Sequence, residues 1–178
     1  MIKRNNPGNI VKSKNKWIGE IEGDQSRFAS FDSLPYGFRA MIKLIQVYIN
    51  RGSNTMKKII NIYAPPSENP TGNYIEFVSK KTGIDPNEPI LKNDYSKLAN
   101  IALAMATFEH GLKSAEVDTM KKHVLEAIQL ILTGSTITSA HLPANTSGSS
   151  GSTGNGRKMI WIEWAAIIAL FAWFYREK

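Results

Sequence analysis

One glutamate stands where its chemical surroundings favour general-acid catalysis. Glu109 ends an apolar helical pattern and directly precedes His110 and Gly111. The negative end of a helix dipole, with apolar neighbours such as Met105 and Phe108, favours the uncharged form of such a carboxyl group. A carboxyl group that keeps its proton near neutral pH can protonate a leaving oxygen. The alternative is an ordinary solvated glutamate at a helix end, and position alone favours that alternative.

A predicted hairpin near the N-terminus offers candidates for a second carboxylate. Residues 17–22 alternate apolar and polar side chains, a Gly-Asp turn follows, and residues 27–31 form the predicted return strand. Glu20 and Asp24 are the candidate partners of Glu109, because glycosidic cleavage commonly uses two facing carboxylates. Acidic residues on a hairpin are also ordinary surface residues, and the spacing does not determine whether either one approaches Glu109.

Amide and aromatic side chains supply candidate binding groups for a sugar or a peptide. They are Asn6, Asn9, Trp17, Asn69 and Tyr74. The asparagines lie in the Asn-Pro-Gly segment 5–9 and in the proline-rich segment 64–71, so structural turns and a rigid connector explain them equally well. Trp17 is suited to stacking on a sugar, although a position in the core is the more common role for such a residue.

Composition excludes several kinds of chemistry. The chain has no cysteine, so it has neither a disulfide nor a cysteine nucleophile. The histidines lack metal-ligand spacing, and we expect no metal and no cofactor. The formal charge of +7 indicates an anionic partner, but it is spread over the globular part without a concentrated basic stripe, so nucleic acid is not the expected partner. The three histidines are His110, His123 and His141.

Apolar periodicity predicts five helices in residues 1–134, which form the predicted globular domain. They lie near 34–50, 56–63, 71–82 and 95–109, with a last helix that Ser114 caps and Gly134 ends. Asn54 or Thr55 caps the second helix, Asp94 caps the fourth, and Gly83 and Gly111 end the third and fourth. With the hairpin, or a three-stranded sheet as the alternative assembly of the N-terminal residues, this pattern predicts an α+β fold of mainly helical type.

The C-terminal part of the sequence predicts a membrane anchor on a linker. Residues 135–156 consist mostly of Ser, Thr, Gly, Asn and Ala, which is typical of a flexible linker. Within 157–178, residues 159–175 are apolar apart from Glu163, with basic residues on both flanks and Trp and Tyr near both ends. This predicts a transmembrane helix in a lipid membrane. A buried or interfacial amphipathic helix is the alternative, which the apolar character of all faces disfavours.

These segments resemble a family of phage virion-associated proteins that degrade bacterial cell walls. The resemblance rests on Arg4-Asn5-Asn6-Pro7-Gly8-Asn9-Ile10, Trp17-Ile18-Gly19, Arg27-Phe28-Ala29-Ser30-Phe31 and Gly37-Phe38-Arg39-Ala40. It continues through Asn54-Thr55, Ile59-Ile60, the segment 64–71, Tyr74, Gly83 and Glu109-His110-Gly111, and so spans residues 4–111.

The family is similar to the lysozyme-like superfamily, in which the catalytic glutamate ends a helix and a β-rich segment follows. Here the β-rich segment precedes the glutamate, so the resemblance implies a circularly permuted lysozyme-like fold. It implies no position for a second carboxylate, and Glu20 and Asp24 remain candidates by residue type alone.

The resemblance implies bacterial peptidoglycan as the substrate. Glu109 would protonate the glycosidic oxygen, as in a lytic transglycosylase or a muramidase, while Asn6, Asn9, Asn69 and Tyr74 hold the glycan. The predicted anchor would place the enzyme in the membrane of a membrane-containing phage or of its host, among other virion proteins, for entry and for exit. Two alternatives stay open: a peptidoglycan endopeptidase on the same scaffold, and a non-catalytic glycan-binding virion membrane protein.

Overall fold

Helices dominate the structure, a computed structural model that describes residues 2–67 and 70–134. In the described part of the chain, five helices follow a two-stranded antiparallel sheet, which confirms the predicted α+β fold of mainly helical type. The strands are β1 (Glu20–Ile21) and β2 (Ser30–Phe31), and the helices are α1 (Leu34–Asn50), α2 (Met56–Tyr63), α3 (Thr71–Thr82), α4 (Tyr95–His110) and α5 (Ser114–Thr133).

The chain divides into two units, the first ending at Ile128 and the second beginning at Gln129, so that α5 crosses the boundary. The predicted linker (135–156) and membrane anchor (157–178) lie outside the described residues. Among the residues that are described, no helix is both long and apolar enough to cross a membrane.

The helix that carries Glu109 is deeply buried over most of its length. Nearly all of α4 from Leu98 to Thr107 is buried, and the helix contacts both α1 and α3. Alanines at 99, 102, 104 and 106 give α4 a slim surface, which lets its neighbours approach closely. Gly111, with φ +59°, ends the helix in the left-handed conformation that glycine adopts without strain. Burial on all sides therefore fixes the position at which Glu109 emerges.

The predicted helix caps are confirmed for α2 and α4, and one prediction for α5 is wrong. The Thr55 hydroxyl accepts a hydrogen bond from the Lys58 amide at 3.3 Å, and the Asp94 carboxylate accepts one from the Lys97 amide at 3.1 Å. Ser114 is the first residue of α5 and not its cap. The Glu116 carboxylate instead accepts a bond from the main-chain amide at position 113 at 2.9 Å, which satisfies a free helix-terminal donor.

The predicted hairpin forms, but its strands are shorter than the alternating pattern indicated. Glu20 pairs with Phe31 and Ile21 with Ser30, whereas residues 17–19 form a turn in which the Glu20 amide donates to the Trp17 carbonyl. The start of the predicted return strand pairs with the N-terminal segment instead, through a bridge between Val11 and Phe28. In the described residues this third segment contributes an isolated bridge, and the sheet itself has two strands.

The N-terminal segment lies directly on helix α1 at a glycine. A β-carbon built on Gly37 would come 1.9 Å from the carbonyl oxygen of Asn5 and 2.6 Å from Cδ of Pro7. Both distances are far below van der Waals contact, so this close approach requires a residue without a side chain. Helix α1 thus provides the surface on which residues 5–7 are positioned.

We expect Gly37→Ala to destabilise the protein although alanine is the better helix former. Overpacking against backbone atoms should lower the free energy of unfolding by about 1–3 kcal/mol. Gly72→Ala in α3 is the matched control, since its β-carbon meets no atom within 4 Å. That variant should raise stability by about 0.5 kcal/mol. Urea unfolding followed by circular dichroism measures both changes, and equal stabilisation by both alanines would contradict the close contact.

Candidate active site

The carboxylate of Glu109 is held from two sides by side chains that are distant in sequence. Nδ2 of Asn9 donates to Oε2 at 2.8 Å, and the Tyr74 hydroxyl donates to Oε1 at 2.9 Å. Each oxygen of the carboxylate therefore has its own donor, and the plane of the group is fixed. Glu109 is only partly buried, so the group remains accessible while it is oriented.

Tyr74 is itself immobilised by the packing between α3 and α4. The ring stacks on that of Phe108 with centroids 4.0 Å apart and planes 17° from parallel. Phe77 then meets the Phe108 ring edge-on at 5.3 Å. Tyr74 is 2% exposed, so its hydroxyl is presented to Glu109 by a ring that cannot reorient freely.

Asn9 reaches Glu109 because the N-terminal segment turns sharply. Asn9 has φ +49°, a left-handed conformation that asparagine adopts more readily than other residues with a side chain. Its amide donates to the carbonyl of Asn6 at 3.3 Å, and the carbonyl of Gly8 accepts a bond from the Tyr63 hydroxyl of α2. The turn is thus fastened at both ends before the Asn9 side chain contacts the carboxylate.

Asn6 is the structural centre of this turn. Its Nδ2 donates to the carbonyl oxygens of Ile10 and Ala29, each at 2.9 Å, and its Oδ1 accepts from the Ile10 amide at 2.9 Å. The residue is 1% exposed. The carbonyl of Asn6 also lies 3.2 Å from Nε2 of His110, next to Glu109. This side chain clamps the N-terminal segment to the strand region and has no surface with which to contact a glycan.

Glu109 and Asn9 open onto a cleft of about 570 Å³. Its described lining combines the N-terminal segment, the approach to β2, and the facing sides of α1 and α2. Four of the described lining residues are aromatic: Trp17, Phe28, Tyr48 and Tyr63. Within residues 2–67 and 70–134, no cluster of His, Cys, Asp or Glu has the makeup of a metal site.

The tyrosines next to the carboxylate stay protonated in the folded protein. Burial raises the pKa of Tyr74 far above its ordinary value of 10.0, and the charge of Glu109 raises it further. Burial, followed by the same charge, raises the pKa of Tyr63 well above that value as well. Both hydroxyls are therefore hydrogen-bond donors at any pH at which the protein functions.

The structure places Glu109, Asn9 and Trp17 at the cleft, joins Tyr74 to Glu109 by a hydrogen bond, and places the other predicted site residues elsewhere. Asn9 and Tyr74 bind Glu109 directly, and Trp17 lines the cleft. The two hairpin carboxylates are absent from the described cleft lining. Glu20 accepts a bond from the Trp17 amide at 2.9 Å, while Asp24 pairs with Arg4. Asn69 lies outside the described residues.

Sequence reasoning missed two residues of the cleft that matter for its chemistry. Tyr63 follows Met56, Ile59 and Ile60 at helical spacing, a signal that places an aromatic hydroxyl on the inner face of α2. Arg27 lines the cleft from the segment that bridges to Val11. Nothing in the sequence placed Arg27 at the cleft, because the bridge that positions it joins Val11 to Phe28, and pairing between separate segments is set by the fold.

We expect Asn6→Ala to destabilise the fold strongly. The substitution leaves the Ile10 amide and the Ala29 carbonyl buried without partners, at a cost of about 1–3 kcal/mol for each group. Asn87→Ala, at an exposed position, is the matched control and should change stability by less than about 0.5 kcal/mol. Urea unfolding measures both. A small loss for Asn6→Ala would show that the N-terminal turn does not depend on this clamp.

We also expect alkaline pH to destabilise the folded state through Tyr74. Above pH 10.0 the unfolded chain loses the phenolic proton, whereas the raised pKa keeps it in the folded chain. The free energy of unfolding then falls by about 1.4 kcal/mol per pH unit for such a group. Tyr74→Phe should reduce this slope in unfolding experiments run on both sides of pH 10. Parallel slopes for the variant and the wild type would contradict the burial of the ionisable hydroxyl.

The comparisons with known proteins place the chain in a phage protein family. No protein-family model matches the sequence. Protein P5 of Pseudoalteromonas phage PM2 is 36% identical to it over 126 residues, which cover 68% of this chain and 77% of the phage protein. Identity at this level over most of both chains shows common descent. The chain therefore belongs to the family of Protein P5 of phage PM2.

Proposed function

We propose that this protein cleaves the glycan strands of bacterial peptidoglycan, with Glu109 as the proton donor. The observation that carries the proposal is the carboxylate of Glu109, held by Asn9 and Tyr74 at the edge of an open cleft. A general acid must be within hydrogen-bond reach of the leaving oxygen and must be oriented before the reaction. A carboxylate that is accessible from the cleft and oriented by a hydrogen bond to each oxygen supports this role.

The two hydrogen bonds suit a group that gives up a proton and later takes one back. Glu109 donates its proton to the glycosidic oxygen between two amino sugars, and the bond to that oxygen breaks. The Asn9 amide and the Tyr74 hydroxyl then stabilise the negative charge left on the carboxylate. Both donors are in place before the reaction, so the protein need not rearrange to accept the charge.

The described cleft favours a lytic transglycosylase over a two-carboxylate hydrolase. Glu109 is the one carboxylate of the described lining. In a transglycosylase a single carboxylate can serve both half-reactions, because after donating its proton it removes the proton of the 6-hydroxyl group that closes the anhydro ring. A muramidase is the second candidate, in which Glu109 activates water, and it usually requires a partner carboxylate.

Aromatic and basic groups support a glycan of the cell wall as the substrate. Trp17 and the tyrosines offer faces and hydroxyls of the kind that bind sugar rings. The formal charge of +7 favours approach to an anionic wall, and this attraction weakens with salt. Common descent with a phage protein supports a virion location. The apolar segment 157–178 would serve as a single-pass anchor in the membrane of the virion or of the host.

The position of Glu109 also supports a permuted lysozyme-like fold. The glutamate ends a buried helix, and the β-containing N-terminal segment meets it in space although that segment comes first in the chain. In an unpermuted relative the same segment would follow the helix. This order of elements is the one that the resemblance implies.

The products of digestion test the proposed reaction. Full-length protein in detergent is incubated with purified peptidoglycan, and the soluble fragments are analysed by mass spectrometry. Anhydro-muropeptides are the expected products. Reducing sugar ends would replace the transglycosylase with a hydrolase. Cleaved stem peptides on intact glycan would establish an endopeptidase, and wall binding without products would leave a glycan-binding virion protein.

We expect Glu109→Gln to abolish product release while wall binding persists. Loss of a general acid lowers the rate by about 10²–10⁴-fold. Asn9→Ala should have a smaller effect, because the carboxylate remains but loses one of its two donors. Glu76→Gln on the exposed face of α3 is the matched control and should leave the rate unchanged. Product formation by a correctly folded Glu109→Gln variant would exclude Glu109 from the reaction.

A further inference from the structure

The described lining of the cleft contains only two charged residues, and they have opposite signs. Glu109 is the acidic residue and Arg27 is the positively charged one. The proposed reaction uses the acid and leaves the arginine without a role. A cation in a substrate cleft strengthens the binding of ligands that carry a negative charge more than that of neutral ligands, so Arg27 indicates an acidic group on the substrate.

The guanidinium of Arg27 lies beside an aromatic ring, on a stretch of backbone that is held in place. The guanidinium carbon lies 5.0 Å from the centre of the Phe28 ring. The main-chain carbonyl of Arg27 accepts a hydrogen bond from the main-chain amide of Lys12 at 2.8 Å. The bridge between Val11 and Phe28 holds the same stretch of backbone. Among the residues that the structure describes, no carboxylate forms an ion pair with Arg27, whose side chain is exposed.

The acids of the neighbouring hairpin are all engaged with other groups. Asp24 accepts hydrogen bonds from Nε of Arg4 at 3.1 and 3.2 Å. Glu22 pairs with Lys16, and Glu20 accepts from the main-chain amide of position 17. The three carboxylates that precede Arg27 within seven residues, Glu20, Glu22 and Asp24, are thus bound to other groups, while Arg27 lines the cleft.

We propose that Arg27 binds a carboxylate of the glycan substrate and so selects an acidic saccharide over a neutral one. The planar guanidinium presents paired N–H donors that match the two oxygens of a carboxylate. Peptidoglycan carries such groups on the lactyl ether of N-acetylmuramic acid, where no peptide is attached, and on the stem peptide. This assignment rests on the proposed function, since it names the charged group that the same cleft recognises.

Binding of non-cleavable disaccharides tests the assignment directly. Isothermal titration of full-length protein in detergent would use GlcNAc-MurNAc with a free lactyl carboxylate and its uncharged methyl ester. A second pair would be the disaccharide with an L-Ala-D-Glu stem and the corresponding neutral diamide. We expect wild type to bind the acid of one pair at least about tenfold more tightly than its neutral partner. The pair that shows this preference identifies the source of the carboxylate.

The variants attribute the preference to Arg27. Arg27→Ala should reduce the preference to about one, whereas Arg27→Lys should retain part of it, because a point charge replaces the planar fork. Lys92→Ala removes the same charge from an exposed position outside the cleft lining and should preserve the full preference. Raised salt should weaken the preference of wild type.

Three results would overturn the assignment: equal binding of acid and neutral ligands by wild type, no measurable binding of any of the four, or an unchanged preference in Arg27→Ala. Each leaves the proposed reaction to be decided by the digestion products and by Glu109→Gln, which do not depend on charge preference. Failure of the reaction would conversely show as absent products with the preference at Arg27 intact.

Discussion

The geometry of the site depends on one carboxylate that joins three parts of the chain. Glu109 stands at the end of α4, Asn9 belongs to the N-terminal turn, and Tyr74 comes from α3. Each of these elements is fixed by different packing: α4 by burial, α3 by the stack of Tyr74 on Phe108, and the turn by Asn6. The carboxylate is therefore oriented by the tertiary fold and not by its own helix.

Two acidic side chains of the N-terminal hairpin form ion pairs with basic side chains. Arg4 with Asp24 and Lys16 with Glu22 neutralise each other on the exposed side of the hairpin. Exposed pairs of this kind contribute little to stability. Their consequence is spatial, because the acids they occupy are not available to the cleft. In the described lining the cleft keeps one charged residue of each sign, Glu109 and Arg27.

Local patterns predicted the helices well, because each depends on nearby residues. A few neighbouring positions were enough to predict the caps at Thr55 and Asp94 and the glycines that end α3 and α4. The strands were predicted too long, since the partner of Phe28 is Val11 and not the opposite strand of the hairpin. Which segments pair depends on the tertiary fold. The alternation of apolar and polar residues is a local property and does not identify the pairing partner.

The candidate site was predictable in part for the same reason. Glu109 was identified by its helix end, and Asn9 and Tyr74 were candidates by residue type and by a family resemblance. Asn6 is of the same residue type as Asn9 and lies three positions away, yet it is buried and structural. Composition does not distinguish the two, because burial depends on residues 10 and 29. Glu20 and Asp24 lie between the cleft residues Trp17 and Arg27 in the sequence, but their side chains are bound to other groups.

The span of 100 residues between Asn9 and Glu109 sets the order in which the site can be assembled. During synthesis the N-terminal turn emerges long before α4, so the donor exists while its acceptor has not yet been made. Closing so long a loop is a late and slow event compared with forming the helices. An unfinished chain of this protein therefore carries the groove-forming residues without a positioned acid, and the two become one site only when α4 docks.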